Sequence, residues 1–326
     1  MKILHITRYF QPGMGYQENG LLAAQMRLGH QVRLITSDRY HPHPDYKETM
    51  KMSESQRIVG VGHKEEDGLD VVRLKVVWEW PAHWWVVWRG LWRAVREFEP
   101  DIIHTHCAVI ASSTFQILWG NFFRRYPIVV DDHNNYFNIE PYTPSKKFLY
   151  KFLFRRLMRP VLMHSVGRVL AISHEVRDYL NQELGISPDG VTINTLGTKP
   201  EVFQRLPEAG RVIRERLNIP QDAVVLVNAG KITRSKDNDV LLEAMAFGVP
   251  CVGVAGEAME EIIVPEETGA IVPPENVDAL AAQLVRVLRD RALGARWGLA
   301  ARARVEQNYT WDRVVERLYP FLVTAQ

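Results

Sequence analysis

The chain of 326 residues carries only two cysteines, Cys107 and Cys251, too few for a disulfide framework. That scarcity suits a reducing cytoplasm better than a secreted protein. Long hydrophobic runs are missing as well. The opening Met1-Lys2-Ile3-Leu4-His5-Ile6-Thr7 is too short and interrupted for a signal peptide. The longest uncharged run, Cys107 to Phe123, includes Ser112, Ser113, Thr114, Gln116 and Asn121, whereas a bilayer span needs about 20 mostly apolar residues. Charge is nearly balanced, with 40 basic against 38 acidic side chains, so no global field draws in nucleic acid. No tandem repeat stands out at a period of about 20–50 residues. What is present is a 46% hydrophobic composition, enough to fill about two domains of roughly 150 residues each. Tryptophan is unusually frequent at nine, and six of these fall between Trp78 and Trp92.

Short β-branched runs alternate with helical patterns, which predicts parallel βαβ units. The first unit is a strand over Lys2–Ile6, a loop through Pro12-Gly13-Met14-Gly15, and a helix from Gln17 to Leu28 ended by Gly29. Further strands are expected at Gln31–Thr36, Val71–Leu74, Ile102–His104, Ile128–Val130, Val169–Ile172 and Val191–Asn194. A second series is expected at Val224–Asn228, Cys251–Val254 and Ala270–Val272, with helices over Glu175–Leu184, Asp239–Phe247 and Val277–Leu288. The stretch from His41 to Asp67 is polar and aperiodic and reads as a loop or an insertion. The fold class is therefore α/β, with two doubly wound sheets in series. Ligands of such sheets gather at the carboxyl ends of strands, where loops feed helix N-termini.

Four segments could carry chemistry. Gly13, Gly15, Tyr16 and Gln17 sit between the first strand and helix, where glycines admit a ligand to backbone N–H groups. The spacing is not the dinucleotide fingerprint, because Asn19 stands where a third glycine is needed, and a dehydrogenase is disfavoured. His104-Thr105-His106-Cys107 hints at a metal, but no second Cys/His cluster has ligand spacing, so no metal site is expected. Asp131-Asp132-His133-Asn134-Asn135 places acids and an imidazole at a strand's carboxyl end, or else forms an Asx-rich turn. Finally, Gly230-Lys231-Ile232-Thr233-Arg234-Ser235-Lys236-Asp237 sets three cations before a helix, suiting a diphosphate although no Walker A pattern occurs.

In order and content these residues resemble family four of the retaining GT-B glycosyltransferases (glycosyl transferases group 1). Gly15 with Gly29-His30-Gln31-Val32 is similar to the family's "GG…GHxV" opening, and Asp101-Ile102-Ile103-His104-Thr105-His106 to its "DxxHxH" strand. Gly230, Lys231 and Lys236 resemble its "GR…K" cradle. Leu242-Glu243-Ala244-Met245-Ala246-Phe247-Gly248-Val249-Pro250 resembles "LEAMAxGVP", and Trp311 its C-terminal tryptophan. The resemblance implies two Rossmann-like domains: an acceptor-side domain over 1–165 and a nucleotide-sugar-binding domain over 166–305. A closing helix over 306–326 would cross back to the first. It further implies transfer from a nucleotide diphosphate sugar to a glycan or lipid-linked acceptor, with retention and without cofactor or metal. His133 would lie near the donor sugar, Lys231 and Lys236 would stabilise the departing diphosphate, and Gly230, Arg234 and Glu243 would bind the donor.

Three departures accompany the resemblance. Leu196-Gly197-Thr198-Lys199 stands where the family has "NGVD", and Asn134 replaces an acid after the cleft histidine. The third is larger: Val240-Leu241-Leu242-Glu243-Ala244 serves as two "LLEA" segments at once, so the βα units between them, with the first glutamate of "E-x7-E", are missing. The second domain is thereby shortened, which favours homodimerisation and leaves a second reading open, a non-catalytic remnant that binds glycan, lipid or a partner transferase. Two further segments suggest an anionic membrane surface on the inner face of the cell membrane. Trp78–Arg96 mixes tryptophan with Arg89, Arg93 and Arg96, and Lys146–Arg159 repeats Lys147, Lys151, Arg155 and Arg159 along one helical stripe.

Overall fold

The computed structural model describes the chain except for residues 14–16, 42–55, 81–84, 107–111, 122–125, 134–150, 153, 204–205, 228–237, 257–258 and 325–326. The described chain divides into two units, Met1–Thr195 with Val315–Gln326, and Leu196–Val314.

The first unit is built on an eight-stranded sheet. Its strands are β1 (Lys2–Ile6), β2 (Gln31–Ser37), β3 (Gly62–Glu66), β4 (Leu69–Leu74), β7 (Ile102–His106), β8 (Ile128–Asp132), β9 (Arg168–Ala171) and β10 (Val191–Ile193). Their spatial order is β10-β9-β8-β7-β1-β2-β4-β3. Every neighbouring pair is parallel except β3 with β4. A separate antiparallel pair joins β5 (Val76–Trp80) to β6 (Trp85–Trp88). Helices of this unit are α1 (Gln17–Arg27), α2 (Leu91–Phe98), α3 (Ser112–Asn121), α4 (Arg159–Ser165) and α5 (His174–Leu184). Strands β9 and β10, placed from sequence at the start of the second domain, hydrogen-bond within this first sheet.

Local chemistry explains most of these boundaries. Gly29 closes the turn after α1 with φ of 84°, a left-handed conformation open to glycine at no steric cost. Ser173 accepts from the Val176 N–H at 3.2 Å and caps α5. The central strands β7 and β8 are buried along their whole length, as parallel strands covered on both faces are. Ile103 of β7 and Ile128 and Val130 of β8 join Leu4, Ile6, Ile35 and Val169 in the main core.

Two sequence readings need correction. The segment from His41 to Asp67, expected to be a loop or an insertion without a strand of its own, contains β3, whose Gly-His-Lys-Glu-Glu sequence is almost wholly exposed. An edge strand held by its backbone ladder and by ion pairs to β4 shows no apolar alternation for a reader to find. Conversely, no strand forms over Val224–Val227, and Val227 is 79% exposed. A β-branched run becomes a strand only with a neighbour to pair with, and among the described residues β11 (Cys251–Val254) pairs only with β12 (Gly269–Val272). Asn228, the last residue of that expected strand, lies outside the described residues.

Beside β11 and β12, the second unit holds α6 (Pro207–Arg216), α7 (Asn238–Ala246), α8 (Met259–Ile262), α9 (Val277–Arg289) and α10 (Arg291–Asn308). Helix α11 (Trp311–Thr324) begins here, and from Val315 onward it is counted with the first unit. Leu242, Met245 and Ala246 pack against Ala301, Val305 and Tyr309. This contact depends on a bare backbone, since a Cβ on Gly298 would lie 2.1 Å from the Gly248 carbonyl oxygen. A Cβ on Gly197, in the segment that replaces "NGVD", would lie 2.9 Å from the ring of Trp311. No helix among the described residues is long and apolar enough to cross a membrane.

Candidate active site

Strand β1 lies between β2 and β7, so the chain winds outward from it in both directions. That reversal opens a crevice at the carboxyl ends of β1 and β7, the usual ligand position in such sheets. Pairing brings four side chains together there. His5 of β1 is opposite His104 of β7, and His106 is opposite Asp131 of β8. His104 and His106 are two positions apart and therefore share a face. His133 follows β8 by one residue, and Gln17 opens α1 beside them.

These groups form a hydrogen-bonded network. His106 Nδ1 lies 2.7 Å from Asp131 Oδ2, and His104 Nε2 lies 3.1 Å from the same oxygen. Gln17 Nε2 donates to that oxygen at 3.1 Å. On the far side, His5 Nδ1 is 3.0 Å from His106 Nε2, and His5 Nε2 is 2.7 Å from Gln25 Oε1. His133 Nε2 approaches Asp131 Oδ1 to 3.8 Å, and its side chain is 29% exposed while Asp131 is buried. These hydrogen bonds run from the core to Asp131, and His133 lies beyond it at ion-pair distance.

The titration tendencies follow from this geometry. Burial opposes a charge on Asp131, but the facing His106 and the hydrogen bonds of the histidines outweigh it and hold the carboxyl well below its usual range. Burial also opposes a charge on His106, yet Asp131 and the nearby Glu18 raise its pKa. His133 is raised in the same way, by Asp131, Asp132 and Glu18 against desolvation. His5 goes the other way, lowered first by burial and then by His104 and His106. His104 is lowered as well, chiefly by burial. One carboxylate therefore favours the protonated form of two histidines, while burial favours the neutral form of their neighbours.

A second network fixes the loop that follows β1. Arg73, wholly buried, donates to the carbonyls of Ser37 and Phe10 at 2.9 Å each and pairs with Glu66 at 2.6 Å. Nearby, Tyr9 donates its hydroxyl to Glu79 at 2.5 Å. Burial resists the charge of Glu79, but Arg57, Tyr9 and Arg39 bring its pKa down to about 2.

The sequence-predicted residues are placed as follows. Gln17 and His133 meet around Asp131. Gly13 turns with φ of 76°, and its N–H donates to the Asp67 carboxylate at 2.6 Å, so an anionic group already sits on this glycine loop. Glu243 is half-buried on α7 of the second unit. Gly15, Tyr16, Gly230, Lys231, Arg234 and Lys236 lie outside the described residues. His5 and Gln25 escaped the sequence reading. The one signal available was parity, since His5 sits mid-strand in an apolar run where a polar side chain needs a partner.

The imidazoles of His5, His104 and His106 could each offer a ligand atom, all within 4.8 Å of one another. However, His5 and His106 already bond through the nitrogens a metal would need, and Asp131 engages His104 and the other nitrogen of His106. The donor set fits a proton network.

Comparison with known proteins gives the same location a family. Residues 13–197 match the Glycosyl transferase 4-like domain, and residues 239–304 match Glycosyl transferases group 1. TuaC of Bacillus subtilis, named for teichuronic acid biosynthesis, is 25% identical over 75% of this chain, which spans 62% of that protein's length. The phosphatidyl-myo-inositol mannosyltransferase of Mycobacterium leprae is 24% identical over 69% of this chain and 74% of its own. Among solved structures, sucrose-phosphate synthase of Thermosynechococcus elongatus superposes with a TM-score of 0.66 over 100% of both chains at 17% identity. Anabaena HepE, solved with UDP and glucose, gives 0.64 over 99% of this chain and 100% of its own at 13% identity. The fold is that of the GT-B glycosyltransferases. Since the first family match covers more than half of the sequence, this chain belongs to the glycosyl transferase 4-like family.

Proposed function

We propose that the chain moves a sugar from a nucleotide diphosphate sugar to a glycan or lipid-linked acceptor, with retention and without a metal. The observation that carries this reading is the His133–Asp131 cluster at the switch point of the first sheet. Departure of a nucleoside diphosphate develops negative charge, which fixed cations and helix dipoles stabilise. In this reading Lys231 and Lys236 supply the cations, Gly230, Arg234 and Glu243 hold the donor, and His133 faces the sugar. The glycine loop at Gly13 and Gln17 borders the acceptor or the phosphate. The UDP-glucose complex of Anabaena HepE, a structural neighbour, supports a nucleotide-sugar partner.

A donor panel tests the proposal. Incubation with UDP-, GDP- and ADP-sugars should release one nucleoside diphosphate at a rate that EDTA leaves unchanged. Lys236→Ala should lower that rate by about 100-fold or more, the scale of losing one charge-stabilising donor. No release from any donor, with the protein folded, overturns the enzymatic reading. It would favour the second reading, a non-catalytic binder, which the unpaired apolar run Val224–Val227 supports.

We place this protein in the cytoplasm, on the inner face of the cell membrane. Trp78 and Trp85 are exposed, as are Phe152 and Leu157 beside Arg156 and Arg159. The fold takes up part of the expected basic stripe, because Arg155 donates to the last carbonyls of α5 and Lys151 pairs with Glu183. Lys147 lies outside the described residues. With each remaining basic residue worth about 1 kcal/mol at an anionic surface, binding should be weak and salt-sensitive. Co-sedimentation with phosphatidylglycerol vesicles should be seen at low ionic strength and lost at about 0.5 M salt, where the Debye length is only a few ångströms. Sedimentation that is absent at low salt rejects membrane contact.

A further inference from the structure

We propose that Gln25, His5, His106 and Asp131 form one buried hydrogen-bonded chain that fixes the ring of His133 at the mouth of the crevice, making Asp131 a positioning residue. This rests on the reading of His133 as the group that faces the donor sugar.

Gln25 and His5 are fully buried, and His106 and Asp131 are nearly so, which obliges their polar atoms to find partners. The amide oxygen of Gln25 faces His5 and can only accept, so His5 Nε2 carries a proton. Neutral His5 then accepts at Nδ1, and His106 Nε2 must donate to it across 3.0 Å. His106 Nδ1 faces a carboxylate oxygen at 2.7 Å and donates to it, while the Gln17 amide nitrogen, 3.0 Å from the same ring nitrogen, gives its own proton to Asp131. The ring of His106 therefore carries both protons, and its charge sits against Asp131. The direction of the chain is chosen at its far end. Turning the Gln25 amide over would let every ring be neutral and would weaken the hold on Asp131.

The consequence reaches His133 through the other carboxylate oxygen. Asp131 Oδ2 is saturated by His104, His106 and Gln17, so the carboxylate cannot rotate away. Its Oδ1 stays turned toward His133 at 3.8 Å. The charged or titratable groups facing this pair are Glu18 from α1, His5 from β1, His104 and His106 from β7, and Asp132 from β8. The acids among them favour a protonated His133, and the tendency of its pKa to rise agrees with the geometry. His133 and His106 titrate as a coupled pair around one carboxylate. A cationic, oriented imidazole at this strand end would donate to a sugar hydroxyl or a phosphate oxygen.

The test is a ring-nitrogen NMR titration of the full-length protein labelled with 15N-histidine, alongside pH–rate profiles. Asp131→Asn removes the charge with little change of shape, and His5→Phe breaks the chain two links away from His133. In the wild type His133 should titrate above the ordinary histidine value of about 6.5. Asp131→Asn should lower its proton affinity by about tenfold or more, one pKa unit. His5→Phe should move it the same way by less. In turnover, kcat should fall about tenfold or more in Asp131→Asn with donor KM changed under about threefold, the mark of a geometry needed only in the transition state. The basic limb of the profile should move to lower pH in both variants. His133 titration that is unchanged in folded His5→Phe overturns the proposal, even if Asp131→Asn does not fold. If the wild type turns over no donor, the function reading fails, while the NMR titration still decides the chain.

Discussion

Asp131→Ala should lower the stability of the first unit by about 3–5 kcal/mol, the cost of removing one partner from a buried ion pair. The carboxylate is buried and takes hydrogen bonds from His104, His106 and Gln17, so its loss strands three donors at once. Urea unfolding followed by far-ultraviolet circular dichroism measures the change. The penalty should depend on pH, with a sign fixed by linkage. His106 and His133 have raised folded pKa values, so their contribution is complete below the unfolded value of about 6.5 and fades as pH rises through the folded values. Asp131 is lowered, so its own contribution is present above about pH 4 and is lost as pH falls through the folded value. The difference between variant and wild type should therefore be largest near pH 5–6 and shrink as pH rises through the raised folded values of the two imidazoles. A penalty under about 1 kcal/mol at pH 6 would show that His106 holds no buried charge.

Trp297→Ala should cost about 3–5 kcal/mol and selectively unfold the second unit. Trp297 is fully buried, packs on Leu293 and Ala270, and donates its indole N–H to the Glu266 carbonyl at 2.8 Å. Arg286 lies over its ring at 5.4 Å and is held there by Glu266. This unit closes its core with helices over a two-stranded sheet, so few other contacts can absorb the loss. Limited proteolysis reads the outcome. Cleavage should accelerate within Leu196–Val314 while the fragment carrying β1–β10 survives. Equal protection of both units would mean that Trp297 does not organise the second one.

How much could be read beforehand depends on the range of the physics involved. The parallel strands β1, β2, β7 and β8 were legible because apolar runs buried on both faces look alike in any sequence. Strand β3 was not legible, since its Gly-His-Lys-Glu-Glu pattern has no buried face to reveal it. The opposite failure occurred at Val224–Val227, where strand propensity was present and a pairing edge was not. The tryptophan segment shows both effects. Trp88 is a core residue and Trp78 is 48% exposed, although composition makes them equivalent. Their fates follow from the register of β5 on β6 and from what lies beneath that pair, neither of which composition encodes.

The candidate site divides along the same line. His104, His106, Asp131 and His133 stood out as polar residues ending strands, and Gln17 as the opening of a helix. Local sequence also determined the α/β class, the Gly29 turn and the Ser173 cap, because each depends on residues only a few positions apart. It carried the family resemblance through motifs of the same short range. Tertiary structure alone decided that His5 would bond His106, 101 positions away, and that Asp131 would hold the middle of a chain ending at His133. A strand shows which way its side chains alternate, but the choice of neighbour and register belongs to the sheet. For that reason Gln17, His104, His106, Asp131 and His133 could be named from the sequence, while His5, Gln25 and the network that links them could not.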